Sequence, residues 1–459
     1  MLLVCALLLA WPLSVQAQKV EQPTETVIRL TVQPMAAPKP ALRYQLLPEL
    51  KEMNPGNPVQ EYMKCFAEQQ NFFFNKQVVD DRERYLVIPL RELPLKEMRS
   101  YTGRGPLTQA DYAARLDTPN WQMLPRIKAE GFATLLPDIQ QLRMLATALK
   151  VRFRIEVAEK RCDDALTTAK TMFALSRHLG EHPTLIGELV GIAVANVAIG
   201  PLEEMLQQPG CPNLYWALTD LPNPFISLRT GIQGERLMLR PHLEGLKDDR
   251  AMGQQEVDKF VARLNRTLKN IGLDKVDVLV WLKSRLESDK HLAGARQRLI
   301  ESGIPEEQVK SFPPLQVVLL DEKQKFEAQL DEDMKLMNFP YWQVEGQFLN
   351  PPTGSDLAIE LLRQFVAPLN KVRKAQVRLE QRIGLLRHVE AIRLYAAGHE
   401  GKLPPTLNDI SLPLPVDPFT GEPFRYSVDG PLAEVRGSAP RSESTNAAFN
   451  VRYVINIKK

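Results

Sequence analysis

Two histidines, His178 and His182, stand at the i, i+4 spacing that lets imidazoles on one helix share a metal ion. Gly180 and Pro183 break that reading, because they predict a helix stop between the rings. Glu181 adjoins His182 instead of following the first histidine, so the zinc-protease order is absent. The pair therefore reads as a helix C-terminus at which His178 meets the dipole. Three doublets of acids, Asp163-Asp164, Glu203-Glu204 and Asp248-Asp249, raise the question of acid–base work. Neighbours on a helix point about 100° apart, so neither member of a doublet converges with the other on one substrate atom. Solvated faces or caps are the expectation. Cys65, Cys162 and Cys211 are too widely spaced for the sequence to assign a bridge. One disulfide with one free thiol and three buried small hydrophobes both stay open. Gly103-Arg104-Gly105 is too short to cradle a phosphate and reads as a turn. The chain carries no Walker loop, no dinucleotide fingerprint, no C-x-x-C and no nucleophile elbow. No catalytic, cofactor-binding or metal-binding residue is assigned.

A different kind of chemistry lies in Lys371, Arg373, Lys374, Arg378, Arg382, Arg387 and Arg393, opposed in that stretch only by Glu380 and Glu390. Such a stripe meets an acidic partner, lipid headgroups or nucleic acid, the last disfavoured by an exported address, or else forms a solvated face opposite an apolar seam. The seam is present: Leu369, Val372, Leu379, Ile383, Leu386 and Val389 alternate threes and fours.

The elements that would position these residues are mostly helical. Ile139, Leu142, Leu145, Leu149 and Phe153 mark one buried helical face. A second helix starts near Asp163-Asp164, passes Ala165, Ala169 and Phe173, and ends at Gly180. Pro183-Thr184 restarts the chain, and residues 185–206 are apolar nearly all round, as in a helix buried between others. The aromatic loop Cys211-Pro212-Asn213-Leu214-Tyr215-Trp216 is expected to pack on a core. Helices return over 225–342, with a stop at Ser302-Gly303 and a restart at Pro305. Beyond Asn350-Pro351-Pro352-Thr353-Gly354 a long helix is predicted from Asp356 to about Ala397, kinked at Pro368. Strands follow around Phe424–Val428 and Phe449–Ile455, and an earlier strand is predicted over Thr26–Val32, tethered by a stiff linker holding Pro34, Pro38 and Pro40.

The fold expectation is thus mainly α: a repeat-like helical hairpin body with tetratricopeptide-like packing, then a long helix and a small antiparallel β unit. The divisions are 1–17 signal peptide, 18–41 strand and linker, 42–349 helical domain with its repeat-like core at about 138–220, and 355–459 helix plus sheet. With 459 residues, 44% apolar and 25% charged, the chain is neither disordered nor a polytopic membrane protein. A net charge of +3 from 58 basic and 55 acidic residues gives no reason to expect nucleic acid. Residues 2–15 are apolar but short for a stable span, and Val15-Gln16-Ala17 supplies a signal-peptidase site before Gln18, though no basic residue precedes Lys19. A periplasmic or extracellular address follows, with no stable membrane span after cleavage.

Two resemblances add to this. The helix–turn–helix around Arg161-Cys162-Asp163-Asp164-Ala165-Leu166 resembles about one and a half tetratricopeptide repeats, without their aromatic positions. The run Glu390–Leu407, holding Gly401-Lys402-Leu403-Pro404, followed by Asp417-Pro418-Phe419 and Gly421-Glu422-Pro423-Phe424-Arg425-Tyr426, resembles the globular part of the type II secretion major pseudopilin. That resemblance implies a helix with a strand laid back across it. The pilin leader does not adjoin the long helix, and Ala439–Ala448 offers only Glu443 in place of a calcium loop, which argues against filament assembly and calcium binding. The pieces Pro-Ala-Leu-Arg-Tyr-Gln-Leu-Leu-Pro (40–48), Asn-Pro-Gly-Asn (54–57) and Pro-Asn-Leu-Tyr-Trp-Ala-Leu-Thr (212–219) resemble a family of exported bacterial proteins of uncharacterised activity. The expected function is an exported, non-catalytic envelope protein that binds partner proteins through a helical groove. Two alternatives stand beside it: a secretion-apparatus component related to pseudopilins, and a hydrolase without a local motif.

Overall fold

Helix starts follow local chemistry. Asn57 accepts a hydrogen bond from the Val59 amide (3.1 Å) with Pro58 at the first helical position, and Thr184 accepts one from the Gly187 amide (3.1 Å). The computed structural model describes residues 24–102, 105–131, 134–270, 278–347 and 357–458. The expected signal peptide, the turn at Gly103-Arg104 and the boundary at 350–354 lie outside them.

The main helices are α1 (Pro58–Glu68), α2 (Lys76–Val87), α3 (Thr108–Ala113), α4 (Pro137–Ala158), α5 (Cys162–Leu179), α6 (Leu185–Leu206), α7 (Arg229–Leu243), α8 (Gln254–Asn270), α9 (Val278–Leu286), α10 (Asp289–Glu301), α11 (Glu306–Ser311), α12 (Pro314–Lys335) and α13 (Leu357–Gly398). The strands are β1 (Thr26–Val32), β2 (Arg425–Asp429), β3 (Leu432–Arg436) and β4 (Val451–Ile457). The molecule is mainly helical, with a small sheet after the long helix.

Two compact units are each discontinuous in sequence. The first holds Gln122–Leu135 and Ile232–Arg373; the second holds Gln18–Trp121, Leu136–Gly231 and Lys374–Lys459. In the first unit, Val257, Phe260, Leu264, Leu282, Leu299 and Val317 form an apolar core. Gln316 is fully buried there. Its amide receives the Met252 N–H (2.8 Å) and donates to the carbonyls of Lys247 (2.7 Å) and Arg250 (2.8 Å), so one side chain satisfies a whole turn.

In the second unit α4, α5 and α6 all pack against one another, the repeat-like hairpin arrangement. The apolar α6 is long enough to cross a membrane by composition, but 78% of its apolar window is buried inside the protein. Across the same unit lies a four-stranded sheet in the order β1-β4-β3-β2. β2, β3 and β4 are antiparallel, while β1 joins β4 in parallel, Thr26 opposite Val451 and Val32 opposite Ile457. The sheet is therefore mixed instead of purely antiparallel. β1 reaches it from the far end of the chain, and β3 fills the Leu432–Arg436 stretch where no strand was predicted.

The segment after β1 is not a free tether. The Gln33 carbonyl accepts from Arg393 Nε (3.0 Å), and the Met35 amide donates to the Arg393 carbonyl (3.1 Å), which lays the segment along α13. From Lys374 to Ala396, α13 is buried on nearly every side, including Gln381, Leu385, His388 and Ile392 away from the predicted seam. It is the central helix of the unit and not one strand of a coiled coil.

Candidate functional site

Sequence-flagged histidines are separated as their spacing with Gly180 suggested. α5 ends at Leu179, and each imidazole takes its own partner. His178 Nδ1 meets the Tyr62 hydroxyl (3.0 Å), whereas His182 Nδ1 meets Thr184 Oγ1 (2.8 Å) and its ring packs edge-on against Trp121 at 4.8 Å. Burial lowers both pKa values to about 4, which keeps them neutral.

The acid doublets diverge, but not all into solvent. Glu204 forks with Arg154, whose Nε lies 2.8 Å from its Oε2. Glu203, expected on a solvated face, is instead mostly enclosed between Arg382 and the Tyr453 hydroxyl, both of which donate to Oε1. Burial raises its pKa against the pull of Arg382. Asp163 and Asp164 do sit in the first turn of α5, where carboxylates oppose the dipole.

The basic stretch departs most from the solvated face expected of it. Lys374 binds Glu443 (2.9 Å), Arg378 lies over the Phe449 ring (5.4 Å), Arg382 binds Glu203, and Arg387 covers Tyr215 (5.7 Å). Arg393, fully buried, donates to both oxygens of fully buried Glu390 (3.0 and 2.9 Å) and to the Cys211 carbonyl (3.1 Å). These cations serve the interior because sheet, loop and helices wrap α13. Side-chain charge alone does not reveal such a wrapping.

The C-terminal motif has a physical role. The Asp417 carboxylate accepts from the amides of Phe419 (3.0 Å) and Ser438 (2.6 Å) and from Gln381 Nε2 (3.0 Å). Tyr426 donates to the Pro404 carbonyl (2.7 Å), and the Phe424 ring packs on His388 at 4.7 Å. Together these pin the strands to α13. They build the fold, and they occupy the Asp417 carboxylate in doing so.

In the first unit, His291, Asp321 and Glu322 present ligand atoms within 4.8 Å of one another. The donor set does not suit a cation. Arg298 forks onto Asp321 (2.7 and 2.8 Å), and Lys325 bridges Asp321 and Glu322 (2.9 Å each), so two acids already face two cations. Burial, Arg285 and Lys325 lower the His291 pKa. A cleft of about 760 Å³ in the same unit mixes signs, with Arg236 bound to Asp331 (2.7 Å) and Arg240 to Glu244 (3.5 Å). Those side chains are half exposed or more, an environment that does not tune a carboxyl for acid–base work.

The outward face of the sheet is different. Strand alternation sends Leu30, Tyr453, Ile455, Ala433 and Val435 inward. It sends Arg452, Arg436 and Arg425 outward, and the register sets these three in one row, Arg452 opposite Arg436 and Arg436 opposite Arg425. Arg29 stands exposed one row on, in β1. Like charges directly opposite destabilise a sheet, so the row has a cost. Glu25 and Glu434 offset part of it: Arg452 forks onto Glu25 (3.1 and 3.0 Å) and reaches Glu434 (2.6 Å), while Arg436 lies 3.6 Å from Glu25. Among the described residues Arg425 has no acidic partner. A cleft of about 320 Å³ opens here, lined by these residues with Tyr426 and Ser427. β2 is the exposed edge of the sheet, whereas on β1, at the other edge, the Thr31 amide is bound by Gln207 Oε1 (3.2 Å). Residue identity reveals none of this until four strands are in register. Comparisons with protein-family models, with curated proteins and with solved structures give no match to this chain.

Proposed function

We propose that the protein is an exported, non-catalytic scaffold of the cell envelope that binds a partner protein at the outward face of its sheet. The partner segment is extended and acidic. It adds as a strand to β2 and sets carboxylates against Arg425 and Arg436, the strand-addition mode in which backbone bonds supply affinity and side chains supply selectivity. One observation carries this reading: an uncompensated arginine ends a cross-strand arginine row beside an open strand edge. The buried acids Glu156, Glu390 and Asp417 and the imidazoles of His178 and His182 are engaged in internal contacts, which favours a scaffold over a hydrolase. The exported address rests on the leader pattern of residues 1–17.

The test is fluorescence anisotropy with a labelled eight-residue peptide of alternating Glu and Val. Binding is expected to weaken at least tenfold in Arg425→Glu and to fall as salt rises. A matching Lys-Val peptide is expected not to bind. Equal binding of both peptides, or no change in Arg425→Glu, overturns the reading.

A second reading is favoured by the clamp that Asp417 and Phe424 make on α13, with Tyr426 tied to Pro404 just beyond it, the arrangement implied by the pseudopilin resemblance. It makes the protein a secretion-apparatus component. Unchanged secreted proteins in a deletion strain would remove its support.

A further inference from the structure

Cys162 and Cys211 are remote in sequence and adjacent in the fold. Cys162 opens α5, and Cys211 lies in the turn just past α6. α5 and α6 form a hairpin, so the beginning of one stands beside the end of the other. The Cys162 thiol stands close enough that, after burial, it raises the pKa of Cys211. The turn bearing Cys211 is held firmly: its amide donates to the Gln208 carbonyl (3.3 Å), and its carbonyl accepts from Arg393 Nη2 (3.1 Å), itself forked onto Glu390. Cys211 is fully buried and Cys162 partly exposed. Cys65 stands apart: its thiol points to the Glu61 carbonyl (3.9 Å), and burial pushes its pKa up to about 12.

We propose that Cys162 and Cys211 form a disulfide that locks the start of α5 to the turn after α6, formed by exchange with a small-molecule or protein disulfide. The chemistry balances in two displacements. The Cys162 thiolate attacks one sulfur of the oxidant, forming a mixed disulfide and releasing the other sulfur as a thiolate. Cys211 then loses its proton, attacks the Cys162 sulfur and expels the second oxidant thiolate. Two protein thiols are oxidised, one disulfide is reduced to two thiols, and those thiols take up the two protons. Exposure sets the order, since only Cys162 is reachable from solvent. Burial and the neighbouring Cys162 sulfur raise the Cys211 pKa, which makes the second displacement the slow one and speeds it as pH rises. Among the described residues no cysteine acts on Cys65, which stays a thiol.

The test starts from reduced full-length protein exposed to oxidised glutathione, quenched with N-ethylmaleimide and mapped by peptide mass spectrometry. The expected product is a single Cys162–Cys211 crosslinked peptide, with Cys65 still a free thiol. Cys65→Ser should bridge as the parent does. Cys162→Ser should give no bridge and leave Cys211 without glutathione. A Cys162–glutathione adduct that persists for hours at pH 8, or a bridge that includes Cys65, overturns the proposal. Circular dichroism of Cys162→Ser shows that any loss is chemical and not a failure to fold. The same trapping applied to protein in its native envelope separates this proposal from the exported address. A bond that forms with glutathione but is absent in cells keeps the pair and refutes the oxidising compartment.

Discussion

Replacing Arg393 by methionine is the sharpest test of how the second unit is built. Arg393 is fully buried and serves five acceptors: both oxygens of Glu390 and the carbonyls of Gln33 (3.0 Å), Cys211 (3.1 Å) and Pro212 (3.4 Å). Methionine retains the aliphatic stem but strands a fully buried carboxylate. Breaking a buried pair in this way costs about 3–5 kcal/mol. Replacing both partners, as Glu390→Gln with Arg393→Met, is expected to cost less than the single change, because no charge is left unpaired. The pH dependence follows from the same geometry. Burial raises the Glu390 pKa, and Arg393 opposes that rise. Without Arg393 the folded-state pKa climbs further above its unfolded value. A raised carboxyl pKa means the folded state takes up protons more readily, so the deficit is largest above the folded pKa and shrinks as pH falls through it. The assay is hydrogen exchange read by mass spectrometry on peptides covering 385–398 and 207–216, at pH 7.5 and pH 5.5. A loss of protection below about 1 kcal/mol at pH 7.5 would refute the reasoning, since it falls short of the cost of a stranded buried charge. So would a deficit that deepens on acidification.

Further outcomes follow from other contacts. His178, His182 and His388 all sit near pKa 4 through burial, below the ordinary 6.5. Their stability contribution is complete above pH 6.5 and lost as pH falls toward 4, about 3 kcal/mol per imidazole. In His182→Gln the slope of stability against pH near pH 5 is expected to flatten by about 1.4 kcal/mol per pH unit, and an unchanged slope refutes the assignment. A Cβ at Gly384 would meet the Phe424 ring at 3.1 Å, so Gly384→Val should cost about 1–3 kcal/mol in urea unfolding, whereas Ala should cost less. Closing the loop of about 50 residues between Cys162 and Cys211 should stabilise the oxidised protein over Cys162→Ser by up to about 4 kcal/mol, measured by the same unfolding with and without reductant. Mass spectrometry of protein recovered from the envelope should find its N-terminus at Gln18, and an intact Met1 would refute cleavage.

Periodic features were legible in the sequence. The stop at Gly180, the Thr184 restart and the all-round apolar α6 are local signals, and the hairpin they build is present. Strand alternation in Phe449–Ile455 also picks out Val451, Tyr453 and Ile455 as core-facing, although Val454 on the other face is buried as well. What escaped the sequence depends on distant pairing. β1 meets β4 from the opposite end of the chain, and nothing local in Thr26–Val32 encodes a parallel partner. The cations from Lys374 to Arg393 look like a solvated face until the sheet and the 211–216 turn close over them, whereas Lys371 does stay exposed. Arginine's five donors then satisfy buried carbonyls and acids. The arginine row belongs to the same class. Arg425, Arg436 and Arg452 are unremarkable singly, and only the register aligns them. Cys162 and Cys211 likewise become neighbours only once α5 and α6 are antiparallel.

The most direct test of the scaffold reading is site-specific photocrosslinking in native cells from Ser427, which faces outward on β2, with exposed Lys259 on α8 as control. One partner is expected to crosslink at Ser427 through an acidic extended segment identified by peptide mapping, absent from Lys259 and lost when Arg425→Glu is added. Equal capture at both positions, capture unaffected by Arg425→Glu, or a crosslinked segment lacking acidic residues would contradict it.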